Sequence, residues 1–311
     1  MLIHNKIAVV VPVYRAEKII GELCKRLISS LSEITADFEI ILVDDRSTDN
    51  SWKKIKENTL KDDRIKGYLL SKNFGQHHAI TAGIDKSNAD WVVVMDCDLQ
   101  DRPEEIVKLH NKAMQGFDIV LALRKNRKDH LLKKMSSKLF YLILSFFSGM
   151  KFNGEVGNFG IYNKKVVDNI KEMREPFRFF VSSVKWTGFD SATIDVKHDK
   201  RFEGKSTYDY KKLISLGFNI IISYSNKLLK MMIFFGILFS FLSLLIIIYN
   251  FYLKFTDQIT ELGYTSIITS IWFLAGIILS SIGILGIYIG KIYDGIKNRP
   301  LYIISKKTLN E

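Results

Sequence analysis

The sequence predicts an α/β domain, a mostly parallel sheet with helices on both faces, followed by a two-helix transmembrane region. Three observations predict it. Short β-branched runs alternate with stretches of helical apolar spacing as far as Leu123. Three predicted strand ends carry polar or acidic clusters: Pro12-Val13-Tyr14, Asp44-Asp45 and Asp96–Asp98. Late in the chain, Met231–Leu253 and Leu262–Gly290 contain no charged residue. At about 1.5 Å per residue, either stretch reaches across roughly 30 Å of hydrocarbon as a helix.

Taken in order, Ile7–Val13 is the first strand. Glu17–Leu31 follows with apolar residues at 19, 20, 23, 27, 28 and 31, which is helical spacing. Phe38–Val43 is the second strand, and the helix after it has Asp49 or Asn50 as its N-cap. Ile65–Leu70 is the third, leading through SKNFGQHH into a helix near 77–86. Trp91–Met95 is apolar enough to be buried on both faces. A helix then starts at Pro103, whose fixed φ suits a first position, with Glu104 and Glu105 at its positive end. Asp118–Leu123 closes the series.

Open α/β sheets bind ligands beyond the carboxyl ends of their strands. Asp96 and Asp98 lie there, and residues two apart in an extended segment point the same way. Such carboxylates repel unless a cation joins them. A hard divalent ion, Mg2+ or Mn2+, that keeps waters and takes phosphate oxygens fits that need. The competing reading is a solvated acidic turn before a helix. It explains one cluster, but a parallel sheet gathers all three along one edge. His77 and His78 read as helix-start residues, since no other histidine lies at ligand spacing.

The 311 residues carry a net charge of +12, and the basic residues cluster beside apolar stretches. From 125 to 138 there are six Lys/Arg against one Asp, leading into KLFYLILSFFSGM. An interfacial helix near 131–149, with Lys133, Lys134 and Lys138 at lipid headgroups, accounts for both features; an ordinary core helix is the alternative. Between the two spans Lys254 is outnumbered by Asp257 and Glu261. After them come Lys291, Lys297, Arg299, Lys306 and Lys307. That asymmetry places both termini in the cytoplasm. The start MLIHNKIAVVVPV lacks a signal-peptide layout, because a charged helix follows Pro12. Cys24 and Cys97 are too few for a disulfide framework.

The expected organisation is a catalytic domain over 1–206, a juxtamembrane helix over 207–230, two spans over 231–290 and a cytoplasmic tail over 291–311. In KRFEGKSTYDY, Arg201, Lys205 and Ser206 offer donors for a phosphate, on a segment with Gly204 as hinge. A solvated charge run is the alternative; the position just before the first span favours the phosphate of a membrane-borne acceptor.

The stretches VPVY, VDDRSTDNS, SKNFGQHHAITAGI and MDCDLQDRPEE resemble the successive signatures of family 2 glycosyltransferases with a GT-A fold. The likeness continues through LRKNRKDHLLKK, RFEGKSTYDYKKL, the two spans and KNRPLYII, and is closest to the polyprenyl-phosphate branch. It implies a nucleotide diphosphate sugar donor, probed first as UDP-linked, a polyprenyl phosphate acceptor, a lipid bilayer and no nucleic acid. Relatives often form homo-oligomers.

By the same resemblance Pro12, Tyr14 and Glu17 border the nucleotide base, Asp45 or Asp44 accepts from its ring nitrogen, and Lys72 joins them. Asp96 and Asp98 hold ribose and metal, with Asp98 the direct ligand. Gln100 and Asp101 face the sugar, while Arg124 and Arg127 join the acceptor-binding set.

Two departures stand out. Arg46 follows the Asp pair where relatives commonly have glycine, and VGNFGIY places Asn158 where many carry an aspartate assigned as base. An amide takes no proton at neutral pH. A lipid monophosphate is already largely dianionic there, so the acceptor needs positioning more than deprotonation. Transfer to a growing polysaccharide, or an inactive relative serving as a membrane scaffold, are the competing functions.

Overall fold

A computed structural model describes residues 5–124, 140, 142–149, 156–197, 199, 210–255 and 264–308. They fall into two compact units. The first comprises 1–142, 150–209 and 299–311, and the second 143–149 and 210–298.

In the first unit the sequence-predicted strands form as β1 (Ile7–Val13), β2 (Phe38–Asp44), β3 (Ile65–Leu70), β4 (Trp91–Val94) and β5 (Ile119–Arg124). Three more join them: β6 (Val156–Asn163), β7 (Ser191–Val196) and β8 (Ile304–Lys307). The eight-stranded sheet runs β7-β5-β6-β4-β1-β2-β3-β8. It is mixed. β1 to β4 are mutually parallel, β5 is parallel to β7, but β6 opposes β4 and β5, and β8 opposes β3.

Alternate residues of β1 enter two cores. Ile7, Val9, Val11 and Val13 pack with α1 (Ile20–Ser32) and α4 (Ile106–Ala113), while Ala8 and Val10 pack with α3 (Gln76–Lys86). This two-sided burial explains why β1 reads as a continuous apolar run. α2 (Ser51–Thr59) sends Ile55 into the first core; α5 (Lys164–Glu172) and α6 (Phe180–Trp186) fill the second. α3 lies so close that a Cβ on Gly83 would come within 2.3 Å of Val10 Cγ1.

Several expected boundaries move. The helix expected from Glu17 begins at Ile20, after a turn. The helix expected from Pro103 opens as a 3-10 turn, Pro103–Glu105, before α4. Asn50 occupies the N-cap of α2 without a side-chain cap bond; Asp49 Oδ1 instead accepts the Ser51 N–H at 3.1 Å. The expected tail is not a free end, since β8 completes the sheet edge on β3, with Ser71 N donating to Ile303 O at 2.8 Å.

The second unit contains α7 (Tyr210–Tyr224), α8 (Lys227–Phe255) and α9 (Tyr264–Ile296), with a further helical stretch over 142–148. The expected juxtamembrane helix is therefore interrupted at Ser225-Asn226, and residues 227–230 open the long helix instead. Ser270–Ile296, with a mean hydropathy of 2.1, is long and apolar enough to cross a membrane. Lys133, Lys134 and Lys138 lie outside the described residues.

Candidate active site

β1 to β4 are parallel, so Tyr14, Asp44-Asp45, Lys72 and Asp96 leave the sheet at one edge. β6 runs the other way and begins at that edge. Continuing its register beyond Val94↔Gly160 sets Asn158 opposite Asp96, and Asn158 Nδ2 donates to Asp96 Oδ1 at 3.4 Å. β5 and β7 end there too, bringing Arg124 and the segment to Asp199 to the same side. The edge expected from sequence is thus assembled, with Asn158 added by strand reversal.

The first cluster is braced internally. Pro12 sits where β1 outruns β4, so its missing N–H removes no bond to that strand. Tyr14 is 41% exposed, and the Arg15 guanidinium lies 5.3 Å from its ring centroid. Both Glu17 carboxylate oxygens accept from Asn50, at 3.1 Å each, which joins the loops after β1 and β2.

The Asp pair divides its work. Asp45 is buried, and its two oxygens accept the N–H groups of Phe74 and Gly75 at 2.7 and 2.8 Å. Asp44 is fully buried; Oδ1 accepts from Ser47 N at 2.7 Å, while Oδ2 has no hydrogen-bond partner. Burial is the leading influence on both carboxyl groups and pushes their pKa values up. A lone buried carboxylate oxygen is costly unless a donor reaches it, which marks this corner as built for more than packing. Arg46 follows with φ of 58°, a left-handed conformation that explains why glycine suits the position.

The turn after β4 is tight as well. Leu99 has φ of 57° and is buried, and Gln100 N donates to Asp98 Oδ1 at 3.1 Å. Asp101, expected to face a sugar, is 0% exposed. Cys97 lies between the two carboxylates, and burial pushes its thiol up to about 12, so it is no nucleophile at neutral pH. Among the described residues, no group of three or more His, Cys, Asp or Glu side chains is arranged to hold a metal.

Gln76, Arg102 and Asp199 belong to this edge but were not singled out from sequence. Gln76 Nε2 donates to Asp96 Oδ1 at 2.6 Å. Arg102 forms two bonds of 2.6 Å with Asp199, whose own N–H meets the Gln100 carbonyl at 2.9 Å. Nothing local in the sequence signals these long-range pairs. Arg127, Arg201, Lys205 and Ser206 lie outside the described residues. A separate groove at the opposite edge, lined by residues including Asn5, Asp90, Trp91 and Lys164, gathers no comparable set of carboxylates.

Residues 8–171 match the model of "Glycosyl transferase family 2", a range that includes Asp44-Asp45, Asp96, Asp98 and Asn158. The chain belongs to glycosyl transferase family 2. This family 2 chain is 36% identical over 304 residues to an uncharacterized glycosyltransferase, YkcC, of Bacillus subtilis, covering 97% of this chain and 94% of that one. It is 32% identical to the undecaprenyl-phosphate 4-deoxy-4-formamido-L-arabinose transferase of Shewanella sediminis, covering 99% of this chain and 95% of that enzyme. Among solved structures, it resembles glucosyl-3-phosphoglycerate synthase of Mycobacterium tuberculosis in complex with Mn2+, UDP and phosphoglyceric acid. That likeness has a TM-score of 0.50 at 13% identity, covering 70% of this chain and 77% of the other, and concerns the fold.

Proposed function

We propose that this chain is a membrane-anchored, metal-dependent glycosyltransferase that moves a sugar from a nucleotide diphosphate sugar, UDP-linked in the first instance, to a polyprenyl phosphate. The observation that carries this reading is the extent of the likeness to an undecaprenyl-phosphate sugar transferase. It runs through 99% of the chain, past the acidic edge and through the long helices.

The nucleotide is assigned to the β1–β2–β3 part of the edge. Tyr14, Pro12, Glu17 and Lys72 border it, and the Asp44-Asp45 pair faces the base. Asp44 Oδ2 is the acceptor left over there, because both Asp45 oxygens hold the 74–75 backbone. Asp96 and Asp98 supply the hard oxygen donors that Mg2+ or Mn2+ prefers. Two carboxylates are too few alone, so waters and the donor's diphosphate oxygens would have to complete the set. When bound, the ion would neutralise charge on the leaving diphosphate.

An oxygen of the acceptor phosphate attacks the anomeric carbon, the bond to the diphosphate breaks, and configuration inverts in that single displacement. Asn158 removes no proton, and none need be removed from a dianionic phosphate. Gln100 and Asp101 shape the sugar side, Gln100 by contact and Asp101 from within the turn. Arg124, Arg127, Arg201, Lys205 and Ser206 hold the acceptor, chiefly by orientation.

The two long helices are assigned as spans. Trp272 and Leu279 are 76% and 69% exposed, an apolar surface suited to lipid. β8 pairs with β3 in the first unit, which supports an even number of crossings by the helices between them. With the Lys/Arg asymmetry, this favours two spans and a cytoplasmic catalytic unit.

The test is incubation of the membrane-bound chain with a panel of nucleotide sugars and polyprenyl phosphate, with mass analysis of the lipid. A lipid mass increased by one phosphate-linked sugar is the expected product. Transfer to polysaccharide, with the lipid unchanged, would replace this reading.

A further inference from the structure

Asp96 is gripped by two amides from separate elements. Gln76 is the first residue of α3, and its Nε2 donates to Asp96 Oδ1 at 2.6 Å. Asn158 lies on β6, and its Nδ2 reaches the same oxygen at 3.4 Å. Both elements are fixed from behind. The entry to α3 turns at Gly75, with φ of 96°, and Asp45 holds the N–H groups of Phe74 and Gly75. On β6, a Cβ at Gly160 would lie 2.9 Å from Val120 O, so the strand packs against β5 with no slack, and Tyr162 OH donates to Asn158 O at 3.3 Å.

From this geometry we infer that Gln76 and Asn158 are positioning residues that fix the rotamer of the Asp96 carboxylate, and that Asp45 contributes to metal binding at a distance by setting Gln76. The inference rests on the metal reading above. The χ2 torsion of an unheld aspartate turns over a broad range, and a ligand must select one orientation of the carboxylate plane. Two donors on one oxygen select it before the ligand arrives, which strengthens binding by preorganisation. A carboxylate at 158 would face Asp96 across the strand pair and repel it; the amide donates instead. The Asn158 substitution is then a change in how Asp96 is held, not a lost base.

The same link joins the two acidic clusters. Asp45 lies in the nucleotide-side cluster and Asp96 in the metal-side cluster, and the 74–76 corner connects them through three hydrogen bonds of 2.6–2.8 Å. Gln76 touches neither cluster's ligand in this account; it acts through Asp96.

The experiment uses the full chain in detergent and two variants, Gln76→Met and Asn158→Ala. The readouts are Mn2+ dissociation in the presence of UDP, followed by the electron paramagnetic resonance of free Mn2+, and the donor and acceptor KM values. Loss of a hydrogen bond to a charged group predicts a rise of about tenfold in the Mn2+ constant for Gln76→Met. Donor KM rises in parallel, acceptor KM stays put, and the melting temperature is unchanged. Asn158→Ala, which removes the longer bond, gives a smaller change of the same kind and tests the grip independently if Gln76→Met fails to fold. A Mn2+ constant equal to that of the wild-type chain in a folded variant overturns the inference. A change in acceptor KM alone does so as well. Failure of the wild-type chain to bind Mn2+ with UDP overturns the metal reading and this inference together.

Discussion

The backbone N–H of Asp199 donates to the carbonyl of Gln100 at 2.9 Å, so the segment leaving β7 is tied to the turn that carries Asp98. Arg102 doubles the tie through its paired bonds to the Asp199 carboxylate. Arg201, Lys205 and Ser206 follow within seven residues of that anchor. The segment leaving β7 is therefore anchored at the turn after β4.

This relationship sharpens what Arg201→Ala should do. Loss of a charge-assisted bond to the acceptor phosphate costs about 1.5–3 kcal/mol, or roughly one to two decades in binding. The KM for polyprenyl phosphate should rise by that factor, while the KM for the nucleotide sugar barely moves. Steady-state kinetics with each substrate varied in turn decides it. A shift confined to the donor would place Arg201 over the nucleotide.

His77 gives a pH signature. It is half-buried, edge-on to Phe179 with ring centroids 4.9 Å apart, and its Nδ1 accepts the Phe180 N–H at 3.4 Å. Burial, the leading cause, depresses its pKa from 6.5 to about 4. Between those values the unfolded chain binds a proton at this ring and the folded chain does not. Stability is therefore full above 6.5 and falls as pH drops towards 4, by at most about 3 kcal/mol from this residue. His77→Gln, which keeps an acceptor for Phe180, should flatten the fall in melting temperature across that window. An unchanged slope would mean that other groups carry it; His78, also depressed mainly by burial, leaves a residual slope in either case.

Gly83→Ala tests the close approach of α3 to the sheet. The added Cβ would meet Val10 Cγ1 at 2.3 Å and Val43 Cγ2 at 3.3 Å, both on fully buried central strands. Overpacking of this kind costs about 1–3 kcal/mol. Thermal unfolding should show a loss of several degrees, with donor KM rising because α3 carries Gln76. A variant as stable as the wild-type chain would show that the helix can shift freely.

Much of this was legible in the sequence, for physical reasons. Continuous apolar runs reported strands buried on both faces, and the acidic residues after β2 and β4 marked the carboxyl edge. What local pattern could not carry was pairing. β6 is antiparallel, and only its register with β4 sets Asn158 against Asp96. β8 is four residues long, too short for its alternation to signal a strand. Asp45 read as a nucleotide contact by resemblance alone; its hydrogen bonds to Phe74 and Gly75 come from a loop 29 and 30 residues away. Arg46 looked like an intruder in a tight turn, and its φ of 58° shows the turn kept with a cation in it.

The most direct measurement is transfer of radiolabelled sugar from its nucleotide to polyprenyl phosphate by the wild-type chain and by Asp98→Asn, each with Mn2+ and with excess chelator. A neutral amide is a poor ligand for a hard cation. The wild-type chain should label the lipid with Mn2+ and stop in chelator, and folded Asp98→Asn should be inactive in both. Full transfer by Asp98→Asn, or wild-type transfer undiminished in chelator, would contradict a metal held at this carboxylate edge.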